Sequence, residues 1–169
     1  MIPFFVPEFT KEMEDAAINA LKNETSVRGE SVAKFEEEFA RYIGTKHAIS
    51  VNSGDAALHL SLIALNIEKN SKVLTSTNSF ISSANCILMT GAKPILCDIN
   101  YDDGNIDVKS TSEKPDAIIP VHIYGNPCDF ESIKNLSETN KIPIIEDACQ
   151  AHGAIYEQKK VGSLGNVGC

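Results

Sequence analysis

The chain has 169 residues, 43% hydrophobic and 22% charged, a balance that excludes a disordered chain and allows one sizeable buried core. Its net charge of -8 is spread over interspersed Glu, Asp and Lys, which excludes the basic patches of a nucleic-acid or anionic-membrane binder. No apolar run is long enough for a transmembrane helix, and residues 1–10 have neither a basic start nor a long apolar stretch, so neither a membrane span nor a signal peptide is expected and the expected compartment is the cytoplasm.

In chain order, Thr10 is placed to cap a first helix, in which Met13, Ala16, Ala17, Ala20 and Leu21 form an apolar stripe expected to pack by one face. A polar linker with Gly29 follows. A second helix starts near Ser31, with Val32, Phe35, Phe39 and Tyr42 along one side and Glu36, Glu37 and Glu38 forming a solvated face.

From Ala48 the pattern changes to short apolar runs separated by helix-length segments. The runs are Ala48-Ile49-Ser50-Val51, Lys72-Val73-Leu74-Thr75, Pro94-Ile95-Leu96-Cys97, Ala117-Ile118-Ile119-Pro120-Val121 and Pro143-Ile144-Ile145. Helices are predicted over residues 55–65, 79–90 and 129–139. This alternation predicts an α/β fold with a mostly parallel, buried sheet and flanking helices.

In such a sheet ligands bind outside the carboxyl ends of the strands. There the runs end in Asn52-Ser53-Gly54-Asp55, Thr75-Ser76-Thr77-Asn78, Asp98, His122-Ile123-Tyr124-Gly125 and Glu146-Asp147, loops that can converge on one pocket. Cys86, Cys97, Cys128, Cys149 and Cys169 are widely spaced and odd in number, with no CxxC pair. They are expected to be small core residues rather than disulfides or metal ligands.

Three short segments carry candidate chemistry. Ser53-Gly54-Asp55 stands between a strand and a helix, where a glycine turn and free N–H groups favour a phosphate; an ordinary turn with Asp55 as N-cap explains the same residues. Asp147, at the sheet mouth, is a candidate to hold a heteroaromatic N–H protonated, since a charge pair at about 4 Å and effective dielectric 20 is worth roughly 4 kcal/mol. A structural salt bridge or a metal ligand are the alternatives, although His122 and His152 show no ligand spacing with it. Glu146 faces the other way. Phe80 is placed to open the predicted helix over 79–90, after the loop that ends at Ser79 and near the ligand mouth, either stacking on a flat ring or packing as plain core. His59 is read as a packing residue, and Lys159 and Lys160 as solvated.

Taken together, Ser53-Gly54-Asp55-Ala56-Ala57-Leu58-His59-Leu60, Ser79-Phe80-Ile81-Ser82-Ser83-Ala84-Asn85, Thr90-Gly91-Ala92-Lys93-Pro94, Ile119-Pro120-Val121-His122-Ile123-Tyr124-Gly125, Ile145-Glu146-Asp147-Ala148-Cys149-Gln150-Ala151-His152-Gly153 and Val161-Gly162-Ser163-Leu164-Gly165 resemble the DegT/DnrJ/StrS family of nucleotide-sugar aminotransferases, across essentially the whole chain. The resemblance implies the large domain of the aspartate-aminotransferase fold (fold type I), with residues 1–169 forming its N-terminal part: a helix and substrate loop over 1–30 and the sheet region over 31–169. It implies pyridoxal 5'-phosphate as cofactor. Asp147 would then pair with the pyridine nitrogen, Gln150 contact the ring's phenolic oxygen, Phe80 stack on the ring, and Ser53, Gly54 and Asp55 hold the phosphate. Ser26 and Val27 fall in the loop that would line the sugar pocket. The resemblance further implies a nucleotide-linked keto-sugar substrate, an amino-acid donor (glutamate) and a homodimer, with no metal.

The sequence departs from the family pattern in two places. Threonine usually stands where this chain has Asp55, and a carboxylate there repels phosphate unless it turns away to cap its helix. The family's Schiff-base lysine lies a short way past the Gly-Ser-Leu-Gly segment, and none of the 13 lysines matches it. The expectation is therefore a chain that does not complete transamination alone and associates with itself or with a missing C-terminal part. The family's sugar dehydratases, with histidine for the lysine, and a non-catalytic sugar-nucleotide binder are the competing readings. A nicotinamide-binding domain is disfavoured because no GxGxxG follows the first predicted strand.

Overall fold

A computed structural model describes residues 6–169; residues 1–5 of the expected N-terminal segment lie outside the described residues. The chain forms two compact units, one running through Tyr42 and including Lys46–Ser50, the other comprising Ile43–Thr45 and Val51–Cys169.

The first unit is built on helices α1 (Lys11–Asn23) and α2 (Glu30–Ile43). Thr10 caps α1 as expected, its hydroxyl accepting from Met13 N–H. The expected packing of its stripe does not occur, since no residue of α1 is buried. Two helices and one short segment are too little material to close a core over it. On α2, Phe35 stacks on Phe39 at 5.4 Å. Glu36 is not simply solvated: Ser50 donates its N–H and its hydroxyl to it, holding its carboxyl below the usual range. These bonds take the place of strand pairing, and the expected strand over 48–51 is absent. A lone extended segment has no ladder to join.

The second unit is a parallel sheet with helices on both faces. After α3 (Gly54–Ala64) come β1 (Lys72–Ser76), α4 (Ser82–Met89), β2 (Lys93–Cys97), β3 (Ala117–Ile119), a single turn of 3-10 helix at Ile123–Gly125, α5 (Phe130–Asn140), β4 (Ile145–Glu146), the hairpin strands β5 (Ile155–Tyr156) and β6 (Lys159–Lys160), and β7 (Val167–Gly168). β1 pairs in parallel with β2 and with β3. Single parallel bridges, Ile118 to Ile144 and Val121 to Asp147, carry the sheet on to β4, which pairs in parallel with β7. Pro94 sits in β2, at one margin of this order.

Side-chain alternation along the strands builds two cores. Val73, Ala117, Ile119 and Ile145 pack with Leu58, Leu62, Cys86 and Ile87 of α3 and α4. Leu74, Ile118 and Ile144 point the other way, to Phe130 and Ile133 of α5. Burial on both faces is why these runs read as continuously apolar. The hairpin turns through Glu157 and Gln158, both at positive φ (45° and 69°), the geometry of a tight two-residue connection.

Candidate active site

Strands, loops and helix starts meet at the carboxyl edge of the sheet, as the alternating pattern predicted. A cavity of about 290 Å³ there is lined by Ser53, Gly54, Asp55, Leu58, Ser79, Phe80, Ser82, Val121, Asp147, Cys149 and Gln150. The turn at Ser53 and the carboxylate of Asp147, 94 positions apart in the chain, share this one space. Thr77 and Asn78 instead border a shallower depression with Tyr101, Asp102, Asp103 and Tyr124, and Asp98 lines neither.

Asp147 is held from the backbone outward. Its N–H donates to Pro120 O at 2.9 Å, and its carbonyl accepts from His122 N–H at 3.0 Å. This places a carboxylate only 6% exposed at the strand end, on the α3/α4 face. Ser83 donates its hydroxyl to Asp147 Oδ2 at 2.8 Å, and Cys149 N–H approaches Oδ1 at 3.4 Å.

Glu146 faces away, as strand alternation requires, and is fully buried. His122 Nδ1 accepts from Cys128 N–H, so the ring proton sits on Nε2, which donates to Glu146 Oε2 at 3.1 Å. Gly162 N–H also donates to Oε2, while Leu164 and Gly165 N–H donate to Oε1, each at 2.7 Å. Burial pushes this carboxyl upward, but the hydrogen bonds from His122, Gly165 and Gly162 outweigh it and hold it below the usual range. No group of three or more His, Cys, Asp or Glu side chains is placed to bind a metal ion among the described residues.

The turn differs from the sequence reading in its cap. Ser53, not Asp55, is the N-cap of α3, its Oγ accepting from Ala56 N–H at 3.1 Å. A serine hydroxyl one residue before the first helical position reaches that N–H without strain. Asp55 sits in the first turn and lines the cavity, so the expected capping role does not remove its charge. Gly54 and Asp55 N–H have no hydrogen-bond partner among the described residues. A Cβ at Gly54 would meet Cys149 Sγ at 3.0 Å, so glycine is what lets the turn lie against the Cys149 side of the cavity.

Phe80 stands outside α4, which begins at Ser82 rather than near Ser79. It is 70% exposed, so it is cavity wall and not core. Gln150 is oriented by Tyr124, whose N–H donates to Gln150 Oε1 at 3.1 Å. Tyr124 adopts φ 56°, a costly conformation for a non-glycine residue, to do so. The Gln150 NH2 group is left available.

Of the cysteines, Cys86, Cys97 and Cys128 are buried as expected. Cys169 is half-buried, and Cys149 is exposed at the cavity wall because the chain turns out of the sheet there. Partial desolvation and the neighbouring Asp147 push the Cys149 thiol up to about 12, leaving it un-ionised at neutral pH. Ser26 and Val27 lie in the loop between α1 and α2, where Thr25 donates its hydroxyl to Val27 O. Sequence reading missed the roles of Ser83 and Tyr124. The Ser82-Ser83 pair at a helix start was the available signal for the first; the backbone conformation of Tyr124 has none.

The ligand edge of this open α/β sheet thus offers a buried carboxylate, partner-free N–H groups at a helix start, an aromatic wall and an oriented amide. That is the donor set a flat, phosphate-bearing heteroaromatic ring requires. The sequence profile of the DegT/DnrJ/EryC1/StrS aminotransferase family matches residues 7–169. The chain belongs to this family.

An uncharacterized protein of Methanocaldococcus jannaschii is 40% identical over 98% of the chain and 44% of its own length. The spore coat polysaccharide biosynthesis protein SpsC of Bacillus subtilis is 37% identical over 98% of the chain and 44% of its own length. A GDP-perosamine synthase of Caulobacter vibrioides is 39% identical over 82% of the chain and 38% of its own length. The chain thus spans less than half the length of these relatives.

Among solved structures, an aminotransferase from Psychrobacter cryohalolentis superposes with a TM-score of 0.91 at 35% identity, covering 98% of this chain and 44% of that one. A GDP-4-keto-6-deoxymannose-3-dehydratase with a trapped PLP–glutamate geminal diamine superposes with a TM-score of 0.89 at 25% identity, covering 96% of this chain and 45% of that one. The architecture is the large-domain core of fold type I. Pyridoxal phosphate is the family's cofactor, and the donor set above fits it.

Proposed function

We propose that this chain forms the cofactor-binding part of a pyridoxal-phosphate-dependent sugar aminotransferase, which transfers an amino group from glutamate to a nucleotide-linked keto-sugar in the cytoplasm, supplying amino sugars for surface polysaccharide. The observation that carries the reading is the shared cavity of Asp147 and the Ser53–Gly54–Asp55 turn. Relatives named for perosamine synthesis and spore coat polysaccharide support the sugar substrate, and the dehydratase structure with PLP and glutamate supports the donor.

In this reading Asp147 accepts from the ring nitrogen's N–H and keeps the proton there. Gly54 and Asp55 N–H groups donate to the phosphate at the positive end of the α3 dipole. The NH2 group of Gln150 donates to the ring oxygen, and Phe80 covers the ring and excludes water. When bound, the cofactor supplies an electron sink for charge developing at the amino-bearing carbon. Ser26 and Val27 are assigned to substrate contact. Residues 1–30 serve as helix and substrate loop and 31–169 as the cofactor region, and the working protein is a homodimer.

A calorimetric titration of the full chain with pyridoxal phosphate tests the assignment. The expected result is saturable binding that weakens by about tenfold or more in Asp147→Asn, the scale of one charge-assisted hydrogen bond; equal affinity in that variant sinks it. The dehydratase likeness favours a second reading, a sugar dehydratase on the same fold. Mass spectrometry of a nucleotide-linked keto-sugar incubated with glutamate, pyridoxal phosphate and the chain supplied with a C-terminal part separates them: an amino group in place of the keto oxygen supports transamination, loss of a sugar hydroxyl the alternative.

A further inference from the structure

The serine hydroxyls beside Asp147 form an ordered arrangement that the proposed function leaves unused. Ser83, in the first turn of α4 and 1% exposed, spends its one hydroxyl proton on Asp147 Oδ2. In the 2.6 Å contact between Ser79 Oγ and Ser83 Oγ the donor must then be Ser79, because Ser83 has no second proton to give. The result is a directed relay from Ser79 to Ser83 to Asp147, in which each hydrogen bond polarises the next. At the carboxylate, Oδ2 is pinned, whereas Oδ1 accepts only the long bond from Cys149 N–H. One oxygen is fixed and the other keeps free lone pairs.

We infer that Ser83 is a positioning residue for Asp147: the Ser79–Ser83 relay holds the carboxylate in one rotamer and leaves Oδ1 as the oxygen that meets a ring N–H. This rests on the reading of Asp147 given above. A carboxylate has two side-chain torsions to order, and a donor that fixes them beforehand removes that ordering from the binding step. The same donor withdraws charge from Oδ2 and leaves Oδ1 the better acceptor. Ser83 therefore acts on recognition of the ring nitrogen and not on the ring's area or its phosphate.

That distinction sets the experiment. Pyridoxal phosphate and its 1-deaza analogue, which has carbon in place of the ring nitrogen, are titrated separately into the full chain and the ratio of their dissociation constants is taken. The ratio is expected to be about tenfold or more in favour of the nitrogen-bearing ligand. In Ser83→Ala it falls to within about threefold through weaker binding of pyridoxal phosphate alone, while Ser83→Thr, which keeps the hydroxyl, restores it. Ser79→Ala moves it the same way by a smaller factor and keeps the test open if Ser83→Ala does not fold. An unchanged ratio in Ser83→Ala, with Asp147→Asn still abolishing the preference, overturns the positioning role and leaves the Asp147 reading standing. A ratio near one in the unsubstituted chain, unmoved by Asp147→Asn, overturns both.

Discussion

Glu146 and Asp147 are adjacent in the chain, yet their carboxylates leave the sheet on opposite faces. Asp147 meets Ser83 beside the cavity, and Glu146 is enclosed by His122 and the Gly162–Gly165 backbone. One extended dipeptide thus supplies a group for a ligand and a group that ties a later loop to the same strand. The two have separate consequences under substitution.

Glu146→Gln should destabilise the fold without touching the cavity wall. Both carboxylate oxygens receive N–H donors, and a glutamine must turn its NH2 against some of them. The cost is about 2 kcal/mol or more, the scale for hydrogen bonds to a charged group left unpaired. Chemical denaturation of the variant beside the unsubstituted chain checks it; an unchanged midpoint contradicts the network described.

The same carboxyl gives a pH signature. Its folded-state pKa lies below the unfolded carboxylate value of about 4.3, so its contribution is complete above that value and is lost as pH falls through the lower, folded one. Melting temperatures between pH 6 and pH 3 (roughly the span of carboxylate titration) should drop more steeply for the unsubstituted chain than for Glu146→Gln. Parallel curves count against the assignment.

Asp55→Thr should strengthen binding of phosphate-bearing ligands by about threefold to tenfold, since it removes a negative charge from the cavity edge beside two partner-free N–H groups. The gain should shrink in 1 M salt, where the screening length is about 3 Å. Titration with pyridoxal phosphate at low and high salt reads both; weaker binding in the variant contradicts the placement of Asp55.

Gly54→Ala sets a methyl group against Cys149 Sγ at 3.0 Å. Affinity for pyridoxal phosphate should fall several-fold, on the order of 1 kcal/mol of overpacking, and adding Cys149→Ala should recover most of the loss. A double variant no better than the single one removes the steric explanation.

Much of this was legible in the sequence because β1, β3 and β4 are buried on both faces. The apolar runs at Val73, Ile95, Ile118 and Ile145 stand out without knowledge of their partners, and Asp147 stands out as the charge that ends one of them. Ala48 to Val51 has the same composition, but a strand also needs a neighbour, and that is not a local property. Sequence places the start of α4 three residues before Ser82 because Ser79, Phe80 and Ile81 are compatible with a helix. The turn before it is closed by Ser83 N–H on Phe80 O and Ala84 N–H on Ile81 O, three-residue bonds that pass into regular α-helix only from Ser82. The cap fell to Ser53 rather than Asp55 because both residue types cap well and a shift of one position is decided by backbone angles.

Pro94 has a consequence for how the sheet ends. Lys93 N–H donates inward, to Ser71 O, and direction alternates along a strand, so the nitrogen of the next residue faces outward, where proline carries no hydrogen. The rim of β2 therefore lacks one of the donors that an incoming strand would need. Lateral growth by strand addition is blunted at this rim, and a chain in this conformation is guarded there against edge-to-edge aggregation.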